Sequence, residues 1–306
     1  MPARKGQSFT LPLNGPSGER VDFWATVTSH GCAALPPNQL DPVDRSLTLT
    51  LARKPGQTPR TLVLTARAPG RVRVEVMGRQ PSAQEIVRLR AQTKYLLRLD
   101  EDLSEFQSLA RHDPVIGSTA VASGRVLRSP TPFEDIVKTL CTTNCAWSAT
   151  ERMVGTLVRE LGAVGPHGRA FPTPAAMAGA RPGFYRDVVR AGYRAKYLRG
   201  LAETVAEGGI DLEALRAGSP LNDDEVLRRL VRLPGVGPYA AAHVMMLLGR
   251  YSRLILDSWT RPMFAARVGS RRLVPDAAIE RRFRGYGRFA GLAFWLFVYG
   301  PEASPS

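Results

Sequence analysis

Hydrophobic and polar positions change their period about a third of the way along this 306-residue chain. Up to about residue 80, apolar side chains alternate or fall in short β-branched stretches: Val21 to Thr28, Leu47 to Leu51, Thr61 to Thr65 and Val72 to Val76. Breakers such as Pro55-Gly56 and Pro69-Gly70 lie between them, a pattern that predicts antiparallel strands joined by turns. Pro81-Ser82-Ala83-Gln84-Glu85 then opens a helix with Ile86, Leu89 and Tyr95 on its apolar side. From about residue 102 the period is helical. Phe133, Ile136, Val137, Leu140 and Cys141 share one helix face, and Val154, Leu157, Val158 and Leu161 repeat the spacing. Pro172-Thr173-Pro174, Pro182-Gly183 and Gly208-Gly209 punctuate the region, and Asn222 followed three residues later by Glu225 predicts a capped helix start. The expected fold class is α+β. Residues 1–100 form a small antiparallel sheet with a helix laid against it, residues 101–300 a mainly α-helical core, and residues 301–306 a flexible tail.

Composition narrows the partners. An apolar fraction of 44% supports a globular core, and a net charge of +15 points to a polyanion. Only five of the 42 basic residues are lysine, so part of the arginine excess can reflect codon usage. No apolar run approaches the ~20 residues of a membrane span, and the N-terminus leads into no apolar signal segment. The three cysteines, Cys32, Cys141 and Cys145, contain no Cys-x-x-Cys pair and supply neither a disulfide framework nor four thiolates for an iron–sulfur cluster. The chain is expected to be soluble and cytoplasmic, associated with the nucleoid, and monomeric.

The stretch Val231-Arg232-Leu233-Pro234-Gly235-Val236-Gly237-Pro238-Tyr239-Ala240-Ala241 carries the chemistry. Pro234 helps stop an incoming helix, Gly235 and Gly237 permit positive φ and close backbone approach, and Pro238 suits the first turn of the next helix. Alanines 240–242 let two helices pack closely. Free amides at that helix start, aided by the helix dipole, favour a phosphate without reading base sequence. One helix later stands Leu256-Asp257-Ser258-Trp259, with a carboxylate that can either cap the following helix or act on whatever the hairpin grips. Gly235-x-Gly237-x-x-Ala240 also fits the dinucleotide fingerprint. That motif needs a strand before it, and Glu225 to Val231 is helical in composition.

Leu233 to Ala241 followed by Ile255-Leu256-Asp257 resembles the helix-hairpin-helix DNA glycosylase superfamily, with the hairpin at about residues 223–249. The likeness runs over roughly residues 100 to 300 and is nearest to the bacterial 3-methyladenine (alkylbase) and 8-oxoguanine enzymes. Pro132 to Asn144 looks like the segment leading to the residue that fills the gap left by a flipped base. Ala191 to Tyr197 resembles the loop that wedges the duplex, and Arg288 to Trp295 resembles the closing helix. The resemblance implies double-stranded DNA with a damaged base as partner, excision of that base after flipping, and no required cofactor.

In that reading Asp257 is catalytic, stabilising an oxocarbenium-like sugar and orienting water. Tyr239 and Trp295 line the base pocket, either of them alternatively a plain core aromatic. Leu233, Gly235, Val236 and Gly237 contact the DNA backbone. Asn144 fills the stack vacancy or merely caps a helix, Tyr193 intercalates, and Arg194 meets the unpaired base. His243 is expected to be a packed core residue. The family implies a monovalent cation, sodium or potassium, on the carbonyls of Val231, Leu233 and Val236. Relatives with lyase activity carry lysine where this chain has Tyr239, so a Schiff base and strand cleavage are not expected. Arg261, Arg267, Arg271, Arg272, Arg281, Arg282 and Arg284 are expected phosphate contacts or solvated surface. Alkylated purines are the expected substrate. Oxidised purines, or a binding role without catalysis, are the alternatives.

Overall fold

The computed structural model describes residues 7–53, 56–68, 70–122 and 124–300. Its first layer is a five-stranded sheet of β1 (Ser8–Pro12), β2 (Gln39–Asp41), β3 (Ser46–Leu51), β4 (Arg60–Ala68) and β5 (Arg71–Val76). The order is β1-β5-β4-β3-β2, and all neighbours are antiparallel. Leu47 pairs with Leu64 and Leu64 with Val74, which sets one apolar row across three strands, since side chains at spacing two share a face. That face packs on helix α2 (Ala83–Leu96) through Leu89 and Leu96. Ser82 caps α2 by accepting the Glu85 N–H. Ile86 borders this core half-buried, whereas Tyr95 lies between the guanidinium groups of Arg128 and Arg216, 4.6 and 4.0 Å from its ring centroid.

Three of the four expected strands are present, and the first is not. Val21 to Thr28 contains a short helix, α1 (Phe23–Val27), because Asp22 accepts the Ala25 N–H at 2.9 Å and Phe23, Thr26 and Val27 turn a single face inward. Strands β1 and β2 were not among the expected elements, although Phe9 and Leu11 alternate with polar neighbours. The expected breakers at Pro55 and Pro69, and the tail at residues 301–306, lie outside the described residues.

Beyond the sheet, short helices follow: α3 (Ser104–Ala110), α4 (Gly117–Ala122), α5 (Pro132–Thr142), α6 (Trp147–Leu161), α7 (Pro174–Ala178), α8 (Ala195–Ala206), α9 (Asp223–Leu230), α10 (Pro238–Leu247), α11 (Thr260–Arg267), α12 (Asp276–Phe283) and α13 (Ala290–Tyr299). Among the described residues, no helix is long and apolar enough to cross a membrane. The expected capping box is present, with Asn222 and Glu225 exchanging bonds of 2.9 Å at the start of α9.

Helix α10 is the axis of this half. Ala240, Ala241, Val244 and Met245 belong to a core shared with α5, α6, α8 and α9. Ala242, Met246 and Leu247 belong to a second core shared with α3, α11, α12 and α13. A helix apolar on every side must be buried on every side, and small residues at 240–242 allow the close approach.

The far end of α10 is fixed by Arg98, at the junction of the sheet layer with the helices. Its fully buried guanidinium donates from Nη2 to the carbonyls of Met246 and Leu247 at 2.7 and 2.8 Å, and pairs through Nη1 with Glu101 at 2.8 Å. Nε donates to the Val126 carbonyl. These contacts satisfy the open carbonyls at a helix end with a positive charge. Arg98→Ala leaves Glu101 and the carbonyls without that partner. It is expected to cost about 3–5 kcal/mol, read as a lowered urea midpoint at unchanged slope.

Candidate functional site

The turn between α9 and α10 takes its shape from its glycines and prolines. Gly235 has φ of +79°, and a Cβ there would stand 2.7 Å from the Tyr197 side chain. Gly237 does not use the positive-φ freedom expected of it. It is extended (φ −86°, ψ 179°), precedes Pro238 at the first helical position, and is open around its Cα, with nothing within 4 Å of an added Cβ. Its value lies in that open space. Among the described residues the amides of Gly235, Gly237 and Tyr239 find no backbone acceptor, so the α10 start presents bare N–H groups to solvent, as helix starts do. The Leu233 carbonyl accepts the Val236 N–H at 3.1 Å, while the carbonyls of Val231 and Val236 accept no backbone bond among the described residues. All three oxygens thus keep a lone pair free to accept a further bond.

Asp257 lies between α10 and α11. One carboxylate oxygen, Oδ1, accepts the N–H groups of Trp259 and Thr260 at 2.8 and 2.6 Å. The Thr260 hydroxyl in turn accepts the Asp257 N–H at 2.9 Å and donates to the Ile255 carbonyl at 2.7 Å. The carboxylate is thus a helix cap, and it is also a cavity group. Its other oxygen, Oδ2, has no hydrogen-bond partner among the described residues, and the residue lines two adjoining cavities. One is a pocket of about 890 Å³ and the other a groove of about 690 Å³ running along the Gly235–Tyr239 turn. Asp257 is the one carboxylate among the described residues that lines either, and no lysine lines them.

The pocket has aromatic walls. Tyr239 is half-buried on its boundary with the groove, its hydroxyl 3.4 Å from Thr142 Oγ1. Burial pushes the phenol up to about 12, opposed by the Thr142 bond and aided by the Asp257 charge, so the ring stays neutral. Trp295 is 5% exposed; its indole donates to the Ser29 carbonyl at 2.9 Å and stacks on Tyr299 with centroids 5.0 Å apart. Trp259 tilts against both rings. His243, expected as a packed core side chain, is buried but also lines the pocket. Both its ring nitrogens lack hydrogen-bond partners, and burial lowers it to about 4, against the pull of Asp257.

The sheet layer also contributes to the lining. Trp24 of α1, Ser29, Gly31 and Cys32 line the same pocket as Tyr239 and Asp257. Sequence reasoning missed all of these, because no spacing along the chain links residue 30 to residue 257. Tyr299 and Trp259 did carry a signal: one lies a helical turn beyond Trp295, the other two residues beyond Asp257.

At the groove's outer edge Asn144 follows the end of α5 with φ of +45°, a left-handed position that suits a helix terminus. Its amide donates to the Tyr193 hydroxyl at 3.4 Å. Tyr193 is 50% exposed and packs edge-on to Tyr197. Arg194 is less available than its loop position suggests. It is 7% exposed, lies 4.5 Å from the Tyr193 ring centroid, and donates to Thr143 Oγ1 at 3.2 Å. The aromatic ring leads the loop and the guanidinium supports it from beneath. Of the arginines late in the chain, Arg261 lines the groove but is bidentate to Asp276, at 2.8 and 2.9 Å. Arg282 lies over the Phe297 ring, and Arg271, Arg272, Arg281 and Arg284 are exposed.

No family model matches the sequence, and no curated protein matches it. Solved structures do match. MBOgg1, in complex with a low-affinity DNA ligand, is 19% identical with a TM-score of 0.75 over 99% of this chain and 98% of that one. The 3-methyladenine DNA-glycosylase from Archaeoglobus fulgidus is 18% identical, TM-score 0.74, over 95% and 98%. The Clostridium acetobutylicum 8-oxoguanine glycosylase/lyase, in its apo form, is 19% identical, TM-score 0.72, over 98% and 100%. The chain therefore shares the fold of these DNA glycosylase structures along nearly its full length, including the sheet layer.

The two turn glycines are expected to behave differently. Gly235→Ala meets both a disfavoured φ and the Tyr197 ring, and should lose about 1–3 kcal/mol of stability. Gly237→Ala should stay within about 0.5 kcal/mol of wild type. Urea unfolding of the two variants distinguishes them.

Proposed function

We propose that the chain is a monofunctional DNA N-glycosylase of base excision repair, acting on damaged purines in duplex DNA and on alkylated ones by preference. The observation that carries this reading is Asp257. It is a carboxylate with one oxygen held by two backbone amides and the other without a partner, on the shared wall of an aromatic pocket and a groove lined by bare amides.

A glycosidic bond inside the duplex is out of reach, so the nucleotide must rotate into the pocket. The Gly235, Gly237 and Tyr239 amides bind phosphate beside it, Tyr193 wedges the stack, and Asn144 fills the vacancy. As the bond from C1′ to the base breaks, its electron pair leaves with the base and positive charge gathers on the sugar. Asp257 faces that charge, and water adds to C1′ while its proton passes to the carboxylate or to solvent. A preorganised charge in a site that excludes bulk water is worth more than one in solution.

The preference for alkylated purines rests on what stands near Asp257. With no second carboxylic acid lining pocket or groove among the described residues, a base that already carries positive charge leaves without acid assistance. Tyr239, Trp295 and Trp259 offer electron-rich faces to such a base. An oxidised-purine reading draws on the Asn144–Tyr193 contact and on the likeness to an 8-oxoguanine glycosylase/lyase. A cation on the Val231, Leu233 and Val236 carbonyls would add charge toward the phosphate.

Asp257→Asn is expected to slow release of free base from a methylated duplex on the order of 100-fold or more under single-turnover conditions. Equal rates would remove Asp257 from the catalytic role, and duplex binding with no base released from any damaged substrate would reduce the chain to a binding protein. A duplex with 8-oxoguanine opposite cytosine tests the oxidised-purine reading. With Tyr239 where an amine would be needed, no adduct should be trapped by borohydride and no strand nicked. Gly237→Ala should keep its fold yet bind duplex about tenfold more weakly, a methyl group now standing where backbone phosphate approaches.

A further inference from the structure

Behind the pocket wall, one nitrogen each of His30 and His243 and the sulfur of Cys32 lie within 4.8 Å of one another, all three side chains buried. They come from separate parts of the chain, two from the loop after α1 and one from the middle of α10. Nothing in the proposed excision reaction uses His30 or Cys32.

The hydrogen bonding around them is unusual for a core. His30 Nε2 lies 2.9 Å from the Leu127 carbonyl. A carbonyl can only accept, so Nε2 carries the hydrogen and Nδ1 keeps the ring's lone pair. Nδ1 has no partner, and neither nitrogen of His243 has one. Buried polar atoms without partners are costly, and His30 and His243 carry three such nitrogens between them beside the Cys32 sulfur. A metal-bound imidazole characteristically donates its other ring N–H to a carbonyl or carboxylate, which fixes tautomer and ring direction. His30 already makes that bond.

We infer that His30, Cys32 and His243 form a binding site for a divalent metal ion of borderline softness, zinc above all, set into the wall of the pocket. Two imidazoles and one thiolate form a donor set suited to zinc, and three protein ligands leave the fourth tetrahedral position open. Cys32 and His243 both line the pocket, so that position faces it and can take water or a heteroatom of a bound base. Binding replaces the thiol proton, which passes to solvent, by a sulfur–metal bond. The Cys32 thiolate and the Asp257 carboxylate, on the same pocket, offset the two charges of the ion.

The site ties the sheet layer to α10 at the pocket, and it stands whether or not the chain excises bases. Cobalt(II) titrated into the full-length protein, stripped with chelator, tests it. The expected result is one ion per chain, with a thiolate-to-cobalt charge-transfer band and the visible absorption of a tetrahedral complex. Zinc should bleach both. Cys32→Ser should abolish the charge-transfer band, His243→Ala should weaken binding by about 100-fold, and Cys145→Ser, elsewhere on the same pocket, should change neither. Circular dichroism of each variant separates lost ligation from lost fold. Absence of the charge-transfer band in the wild-type protein, or its survival in Cys32→Ser, would overturn the assignment.

Discussion

Two backbone N–H groups hold one oxygen of Asp257, and the functional account depends on that small contact. A carboxylate free to rotate would hydrate and swing between solvent and pocket. Fixed by the Trp259 and Thr260 amides, and with Thr260 itself tied to the Ile255 carbonyl, it stays oriented before any substrate arrives. The contact also joins two roles commonly treated as alternatives. The residue caps the start of α11 because its neighbours are helical, and it serves the pocket because the cap consumes only one of its oxygens.

That placement is a product of the whole fold. Helix α10 carries Tyr239 and His243 at its first turns, and it is clamped along its sides by two apolar cores and at its end by Arg98. The turn before it is held by Gly235 against Tyr197, so the turn packs directly on the first turn of α8. The sheet layer is less of an appendage than its position in the chain implies. Through Trp24, Ser29 and Cys32 it supplies part of the pocket lining, and the indole of Trp295 donates directly to the Ser29 carbonyl.

Much of this was legible in the residues. The periodicity marked α5, α6 and the capped start of α9, and the Leu-Pro-Gly-Val-Gly-Pro run marked the turn into α10. The misreadings have physical reasons. Val21 to Thr28 is rich in strand-preferring residues, but one Asp22 cap bond outweighs that propensity. Gly237 reads like a positive-φ glycine, whereas its contribution is empty space. The sheet-derived part of the pocket lining and the His30, Cys32 and His243 cluster could not be read from the sequence at all, since they exist only where the layers meet. Arg194 shows the same limit: a basic residue in a loop reads as exposed until Tyr193 is found packed over it.

The most direct measurement compares how the protein binds two otherwise identical duplexes. One carries a neutral abasic-site analogue and the other a cationic pyrrolidine in place of the sugar. If Asp257 faces the charge that develops on the sugar, wild type should prefer the cationic duplex by about 100-fold or more, as expected of a transition-state mimic, and Asp257→Asn should lose most of that preference. Equal affinity of the wild-type protein for the two duplexes would contradict the account.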